Sequence, residues 1–211
     1  MKKINIISFL IIATAFSFSS CKSEVKKTVV EETKVKEVKK STAAFAVNNA
    51  NNDIKFIAYK MTEKVGVGGW FKKVNVLSGG EGNTVKEAID NTEFSIPVSS
   101  LATKDSSRDY KIKKFFFGVM DNTRLLSGKL KLTDDTNGIA TLTMNGETKD
   151  VPFSYTIVGS TFNLKATMDV NNWNAGKALA SLNEVCKLLH TGADGISKTW
   201  SEVTLDITSS F

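Results

Sequence analysis

The chain has 211 residues, 24% of them charged, and 28 Lys and Arg against 22 Asp and Glu give it a formal net charge of +6 at pH 7. Lys2 and Lys3 at the N-terminus carry two of those six, which leaves +4, and acids and bases are interspersed along the rest, excluding the concentrated basic footprint of a nucleic-acid binder. One His and two Cys exclude a histidine-rich metal site and leave no Ser-His-Asp or Cys-His assembly to argue for, and no cofactor pattern is present.

Residues 1–20 join Lys2 and Lys3 to an uncharged, largely apolar run over 4–18 and the small pair Ser19-Ser20, the three-part pattern of a secretory signal. The run is shorter than the roughly twenty residues of a membrane span and is interrupted by Asn5, Ser8, Thr14 and Ser17, so cleavage after export is expected. Phe18-Ser19-Ser20-Cys21 resembles a bacterial lipobox, with Phe18 where that pattern usually has Leu, and makes Cys21 the expected lipid-attachment residue. Two or more acyl chains there would anchor the chain stably in a membrane. The alternative is an ordinary secretory peptide in which Cys21 is incidental. With Cys21 acylated, Cys186 has no partner for an internal disulfide and reads as a small buried hydrophobe.

Residues 21–50 read as the lipidated cysteine and a flexible tether. Over 22–40 Lys and Glu alternate with Val and Thr and no aromatic residue occurs, while Thr28, Val29, Val30 and Thr33 weaken a helical alternative. The Asn-rich stretch 48–52 marks the entrance to a single domain over 51–211. Lys22-Ser23-Glu24 leaves the membrane face open, so the expected location is the cell envelope, on an outer membrane facing the periplasm or the cell surface.

From Asp53 the dominant signal has period two. The run 54–59 and the run from Val65 flank a turn near Thr62-Glu63, and 71–77 continues the second run towards Ser78-Gly79-Gly80. Further strands are expected over 93–98, 125–133, 139–144, 148–158 and 161–169. Asn145-Gly146 supplies the two residues that tolerate positive φ in a tight hairpin, pairing 140–144 with 147–155. Residues 105–118 lack a clean period and read as a loop or short helix packed against the sheet. Over 171–190, Leu179, Leu182, Val185, Cys186 and Leu189 recur at helical spacing, giving an amphipathic helix whose inner face closes on the sheet, with His190 favoured as a cation by the helix dipole. A last strand over 199–208 can pair with the first and remove both edges.

Four ordered segments carry a family resemblance. Residues 59–71, Tyr59-Lys60-Met61-Thr62-Glu63-Lys64-Val65-Gly66-Val67-Gly68-Gly69-Trp70-Phe71, look like the first hairpin of the YceI family of exported proteins, and Ser107-Arg108-Asp109-Tyr110-Lys111-Ile112 resembles its Arg-Asp segment. Residues 142–151 around Asn145-Gly146 and the segment Trp200-Ser201-Glu202-Val203-Thr204-Leu205 are similar to a later hairpin and to the closing strand. Lys111 departs from the family, which commonly has His there. The resemblance covers about 53–211 and implies an all-β fold, an eight-stranded antiparallel lipocalin-like barrel with one added amphipathic helix near the C-terminus. It also implies an apolar interior that in some members holds a polyisoprenoid.

An eight-stranded barrel has room for packed side chains or for one small ligand. Phe56, Val67, Phe71, Phe94 and Phe115 are inward candidates by alternation or aromatic clustering, as are Phe117, Leu142, Phe153, Phe162 and Leu164, each serving as core or as ligand-binding wall. Arg108 and Asp109 are read as an ion pair or cap pinning their loop, ahead of a head-group contact. The leading function is an envelope-anchored lipoprotein that binds an apolar lipid, isoprenoid in kind, for transport, storage or sequestration, without enzymatic activity. The competing reading is a filled barrel that works as a structural or protein-interaction module; a lipid-modifying enzyme stands third.

Overall fold

Apolar and polar residues alternate along 147–158 so that Val151, Phe153 and Tyr155 are buried while Pro152, Ser154 and Thr156 are exposed, the signature of a strand with one face on a core. The computed structural model describes residues 41–211; the export signal, Cys21 and most of the expected tether lie outside the described residues. The strands are β1 (Phe45–Ala46), β2 (Asn51–Lys60), β3 (Val65–Phe71), β4 (Asn75–Ser78), β5 (Glu81–Gly82) and β6 (Glu93–Pro97), then β7 (Leu101–Ala102), β8 (Leu125–Leu132), β9 (Asn137–Met144), β10 (Glu147–Val158), β11 (Thr161–Asp169) and β12 (Thr199–Ser210). Ten of them form one antiparallel sheet in the order β4-β6-β8-β9-β10-β11-β12-β2-β3-β7, and β1 pairs with β5 beside it.

The sheet closes on itself. β3 and β4 are two halves of one bent segment, as are β6 and β7, and these segments meet twice: Phe71 stands opposite Leu101 at one end and Asn75 opposite Ser95 at the other. Between the two ladders the Lys72 amide donates to the Ser100 carbonyl at 3.0 Å. Counted this way the barrel has eight staves, and the first long strand, β2, pairs with the last, β12. The β9–β10 hairpin turns at Asn145 (φ 52°) and Gly146 (φ 72°), both in the left-handed region that this dipeptide tolerates.

Helical segments occupy the connections. Helix α1 (Val85–Ile89) is unannounced by periodicity, but Thr84 Oγ1 accepts from the Glu87 amide and Glu87 Oε2 accepts from the Asn83 amide, a Thr-x-x-Glu start signal. Between β7 and β8, α2 (Ser106–Lys111) runs into a π-helical turn (Ile112–Phe116) and a 3-10 turn (Phe117–Val119). Between β11 and β12 the expected single helix is broken into a 3-10 turn (Val170–Trp173), α3 (Gly176–Val185) and α4 (Lys187–His190). Asn174 in the left-handed region (φ 55°) ends the first piece, and Cys186, at φ −110° and ψ 7°, separates the other two.

That break changes which residues are inside. Ala178 and Cys186 are buried, whereas Leu189 (56% exposed) faces solvent because α4 leaves the axis on which its spacing would have placed it inward, and Val185 (36%), the last residue of α3, is exposed as well. The domain also begins earlier than position 51. β1 and the buried Ala46 and Val47 pack on the barrel, with the Val47 amide donating to the Gly80 carbonyl at 2.8 Å.

Trp173 is 1% exposed and its indole N–H donates to the Leu142 carbonyl at 2.9 Å, fastening the β11–β12 connection to β9. Among the described residues no buried side-chain nitrogen or oxygen lacks a hydrogen-bond partner.

Candidate functional site

The two apolar clusters of the barrel do not fill it. A cavity of about 230 Å³ lies between them, lined by alternate residues of the long strands: Asn52, Ile54, Phe56 and Ala58 on β2, and Val203, Leu205, Ile207 and Ser209 on β12. Ala58 lies six positions beyond Asn52, so at about 3.3 Å per residue the cavity follows the strand for roughly 20 Å. Among the described residues no ionisable side chain lines it.

Of the ten wall candidates, Phe56, Phe71, Phe94, Phe117, Leu142, Phe153, Phe162 and Leu164 line this cavity. Val67 and Phe115 do not. Val67 lies opposite Ala58, on the inward side of the register, but half-buried and short of the wall. Phe115 belongs to the π-helical turn, where its ring packs edge-on against Tyr110 at 6.2 Å and lies under the Lys114 ammonium, so aromatic clustering there serves the surface of the turn. Residues that periodicity left unmarked complete the wall, among them Ala140, Ala166 and Trp200, together with Leu179 and Leu182 from the inner face of the expected helix.

Cross-strand register explains how a barrel with so many inward phenylalanines stays hollow. Phe56 lies directly opposite Gly69, Phe94 opposite Gly128 and Phe153 opposite Gly138. A Cβ on these glycines would sit 2.4 Å, 2.9 Å and 2.2 Å from the Cζ of the facing ring. Each ring therefore folds back over a neighbour without a side chain and lies along the wall instead of crossing the lumen.

The polar groups in the wall are satisfied within the protein. Ser209 donates to Asn52 Oδ1 at 2.6 Å, and Asn52 Nδ2 donates to the Val47 carbonyl at 2.7 Å. Thr92 donates to the Ala88 carbonyl, Thr199 to Asn183 Oδ1, and the Trp200 indole to the Met61 carbonyl. What remains facing the cavity is hydrocarbon and ring surface, which holds a molecule by burial and shape.

One end is shut. Val47, Ile89, Thr92, Phe162 and Ser209 are buried there, backed by β1, β5 and α1. At the other end Ile112, Phe116, Leu179, Leu182 and Trp200 are only half-buried, so the accessible side is the rim between the π-helical turn, α3 and the start of β12.

At that rim His190 Nδ1 lies 2.7 Å from Thr199 Oγ1. Burial, reinforced by the charges of Lys60 and Lys111, holds the His190 ring well below its ordinary value, at about 4. The cation expected at the end of the helix is supplied instead by Lys60, whose ammonium donates to the Leu189 carbonyl at 2.7 Å. The neutral ring contributes stability that is complete above about pH 6.5 and is lost as pH falls towards 4, because the unfolded chain takes up a proton that the fold refuses. Since the ring is half-exposed, the expected loss is about 1–2 kcal/mol. Urea unfolding of the protein and of His190→Gln at pH 7.5 and 4.5 checks it: the variant lacks that part of the decline.

Arg108 and Asp109 face away from the cavity and converge on Thr103. Arg108 Nε donates to Thr103 Oγ1 at 2.9 Å and its terminal nitrogen to the Thr103 carbonyl at 3.1 Å, while Thr103 Oγ1 donates to Asp109 Oδ1 at 2.6 Å. The pair fastens α2 to β7.

Comparison with known proteins agrees with this geometry. Residues 45–211 match the family described as the YceI-like domain. The chain is similar to the structure of a polyisoprenoid-binding domain from Saccharophagus degradans implicated in plant cell wall breakdown, at 11% identity and a TM-score of 0.52, covering 78% of this chain and 93% of that one. It is similar to BcnA of Burkholderia cenocepacia at 17% identity and a TM-score of 0.50, covering 78% of this chain and 98% of that one. At these identities the likenesses establish the shared fold. No curated protein matches the sequence.

Proposed function

Because the chain belongs to the YceI-like family, we propose that it binds one apolar lipid of isoprenoid type within its barrel, for transport, storage or sequestration. The observation that carries this reading is a lumen whose wall is hydrocarbon and whose polar groups are already hydrogen-bonded within the protein. The polyisoprenoid-binding description of the Saccharophagus domain points the same way.

Burial alone supplies enough energy. At about 0.8 kcal/mol per buried CH₂, two or three five-carbon units gain roughly 8–12 kcal/mol before the costs of association are subtracted. A cavity of about 230 Å³ lies below the usual range of about 300–1,000 Å³ for small-molecule pockets. It accordingly takes a segment of a few isoprene units, with the remainder of a longer chain passing out through the rim.

Cys21, as lipid-attachment residue, would hold the chain to a membrane of the cell envelope, the outer membrane on its periplasmic or external side. A filled barrel acting through its surface is the competing reading, and the cavity speaks against it. Native mass spectrometry and lipid extraction of the full chain purified from bacterial membranes test the proposal. One lipid per chain, with an isoprenoid tail, is expected; a chain that emerges empty and takes up no added isoprenoid overturns it.

A further inference from the structure

The rim carries a second feature that lipid binding inside the barrel does not use. Leu188 on α4 is 93% exposed and Leu189 is 56% exposed; Val185, one turn earlier, and Ile196 (55%), on the loop that folds back on α4, are exposed as well. Exposed apolar residues scattered singly are ordinary, but four gathered at the end of α3, on α4 and on its return loop form a patch. Lys60 ties α4 in place through the Leu189 carbonyl, and His190 ties it to Thr199, which is part of the cavity wall. The patch therefore borders the open end of the cavity.

Charge is distributed unevenly along the barrel. Lys60, Lys111, Lys187 and Lys198 surround the patch, and none of them is in an ion pair among the described residues. Lys198 lies over the face of Trp200, 3.5 Å from the ring centroid, so it borders the rim directly. Nearby carboxylates are Glu184, Glu63, Asp194 and Glu202; Glu202 pairs with Lys64, and Asp194 accepts from Thr62 and from the Ile196 amide. The shut end, by contrast, carries Glu81, Glu87, Asp90, Asp134 and Asp135 around Lys86.

We infer that the helical end of the barrel docks on an anionic bilayer, with Leu188 and Leu189 dipping into the head-group boundary and the surrounding lysines meeting lipid phosphates. An apolar turn flanked by lysines is the composition that lies in a membrane interface, held by apolar burial and by attraction to anionic lipids. Docked this way, the rim faces the bilayer, and a lipid passes between membrane and lumen without crossing water. The acidic shut end is repelled from the same surface, which sets the orientation. In this role docking deepens the lipid-binding reading, but the experiment below reads docking whether or not the cavity is filled.

The full chain carrying Cys21→Ser, which removes the proposed acyl anchor and the competing thiol while Cys186 stays buried, and Leu188→Cys labelled with a polarity-sensitive dye, is mixed with vesicles of phosphatidylcholine and phosphatidylglycerol whose acyl chains are brominated. A control carries the dye at Val158→Cys, 70% exposed beside the turn at the shut end. Quenching at position 188, absent at 158 and absent on pure phosphatidylcholine, is the expected result. Adding Lys187→Glu should weaken binding to anionic vesicles by about fivefold or more, since each lysine near such a surface contributes on the order of 1 kcal/mol. Equal quenching at both positions, no quenching at 188, or dye self-quenching from pairing of two copies would each overturn the inference. A chain whose dye is quenched normally but whose lumen holds no lipid would refute the proposed ligand and leave the docking face standing.

Discussion

Replacing Ala166 with phenylalanine is expected to leave the barrel folded and free of lipid. Ala166 belongs to a row of directly paired residues crossing six strands: Gly138 opposite Phe153, Phe153 opposite Ala166, Ala166 opposite Leu205, Leu205 opposite Phe56, and Phe56 opposite Gly69. In this row the rings of Phe153 and Phe56 turn over glycines, and Ala166 leaves the gap between Phe153 and Leu205 open to the lumen. A ring at position 166 fills that gap. Lipid recovered per mole of protein should fall about tenfold or more, equivalent to roughly 1.4 kcal/mol or more of binding free energy.

Stability should move the other way. At about 24 cal/mol per Å³, keeping a dry cavity of this size costs on the order of 5 kcal/mol relative to a filled core, and cavity-filling substitutions typically recover about 0.5–2 kcal/mol. The lipid-free Ala166→Phe protein is therefore expected to unfold at higher urea concentration than the lipid-free parent. Loss of stability in the range of about 1–3 kcal/mol, as for an overpacked core, would mean that the space is not there.

Trp173→Ala is expected to be the most damaging single change outside the lumen, at about 3–5 kcal/mol, the usual cost of truncating a fully buried aromatic. Trp173 does more than fill volume. Its indole is bonded to the Leu142 carbonyl, and its own carbonyl accepts from Asn145 Nδ2 at 2.7 Å, so the β9–β10 hairpin and the start of the α3 connection are held through one residue. Hydrogen exchange should accelerate first in α3, which forms part of the rim. Trp173→Phe keeps one aromatic ring and loses the five-membered ring with its N–H bond, and a smaller cost of about 1–2 kcal/mol is expected. Urea unfolding of both variants checks the order; a Trp173→Ala cost under about 1 kcal/mol would show that the helices are held elsewhere.

Local features of this fold were legible because they depend on neighbouring residues. The Asn145-Gly146 turn and the strand over 161–169 follow from alternation and turn chemistry, whereas the pairing of the last strand with the first was expected from the removal of sheet edges. The Thr84-x-x-Glu87 helix start was equally readable, yet α1 is too short for periodicity to mark. Other features depend on the tertiary register. Barrel closure rests on bends at 72–74 and 98–100 that let two segments pair twice, and no single-residue pattern announces that. The exposure of Leu189 follows from the break at Cys186, which an unbroken helical period conceals. For the site, alternation and clustering pointed to eight cavity-lining residues but could not reveal that the cavity exists. Hollowness arises from phenylalanines meeting glycines across strands, where the two partners are at least thirteen residues apart in sequence.

Titration calorimetry of the emptied full chain with a short polyprenol, performed at two temperatures, tests the central claim most directly. Binding of one equivalent per chain is predicted, with a negative heat-capacity change reporting burial of apolar surface, and with binding about tenfold weaker or more for Ala166→Phe. Absence of saturable binding at both temperatures, or equal binding by the filled variant, would contradict a lipid held in the lumen.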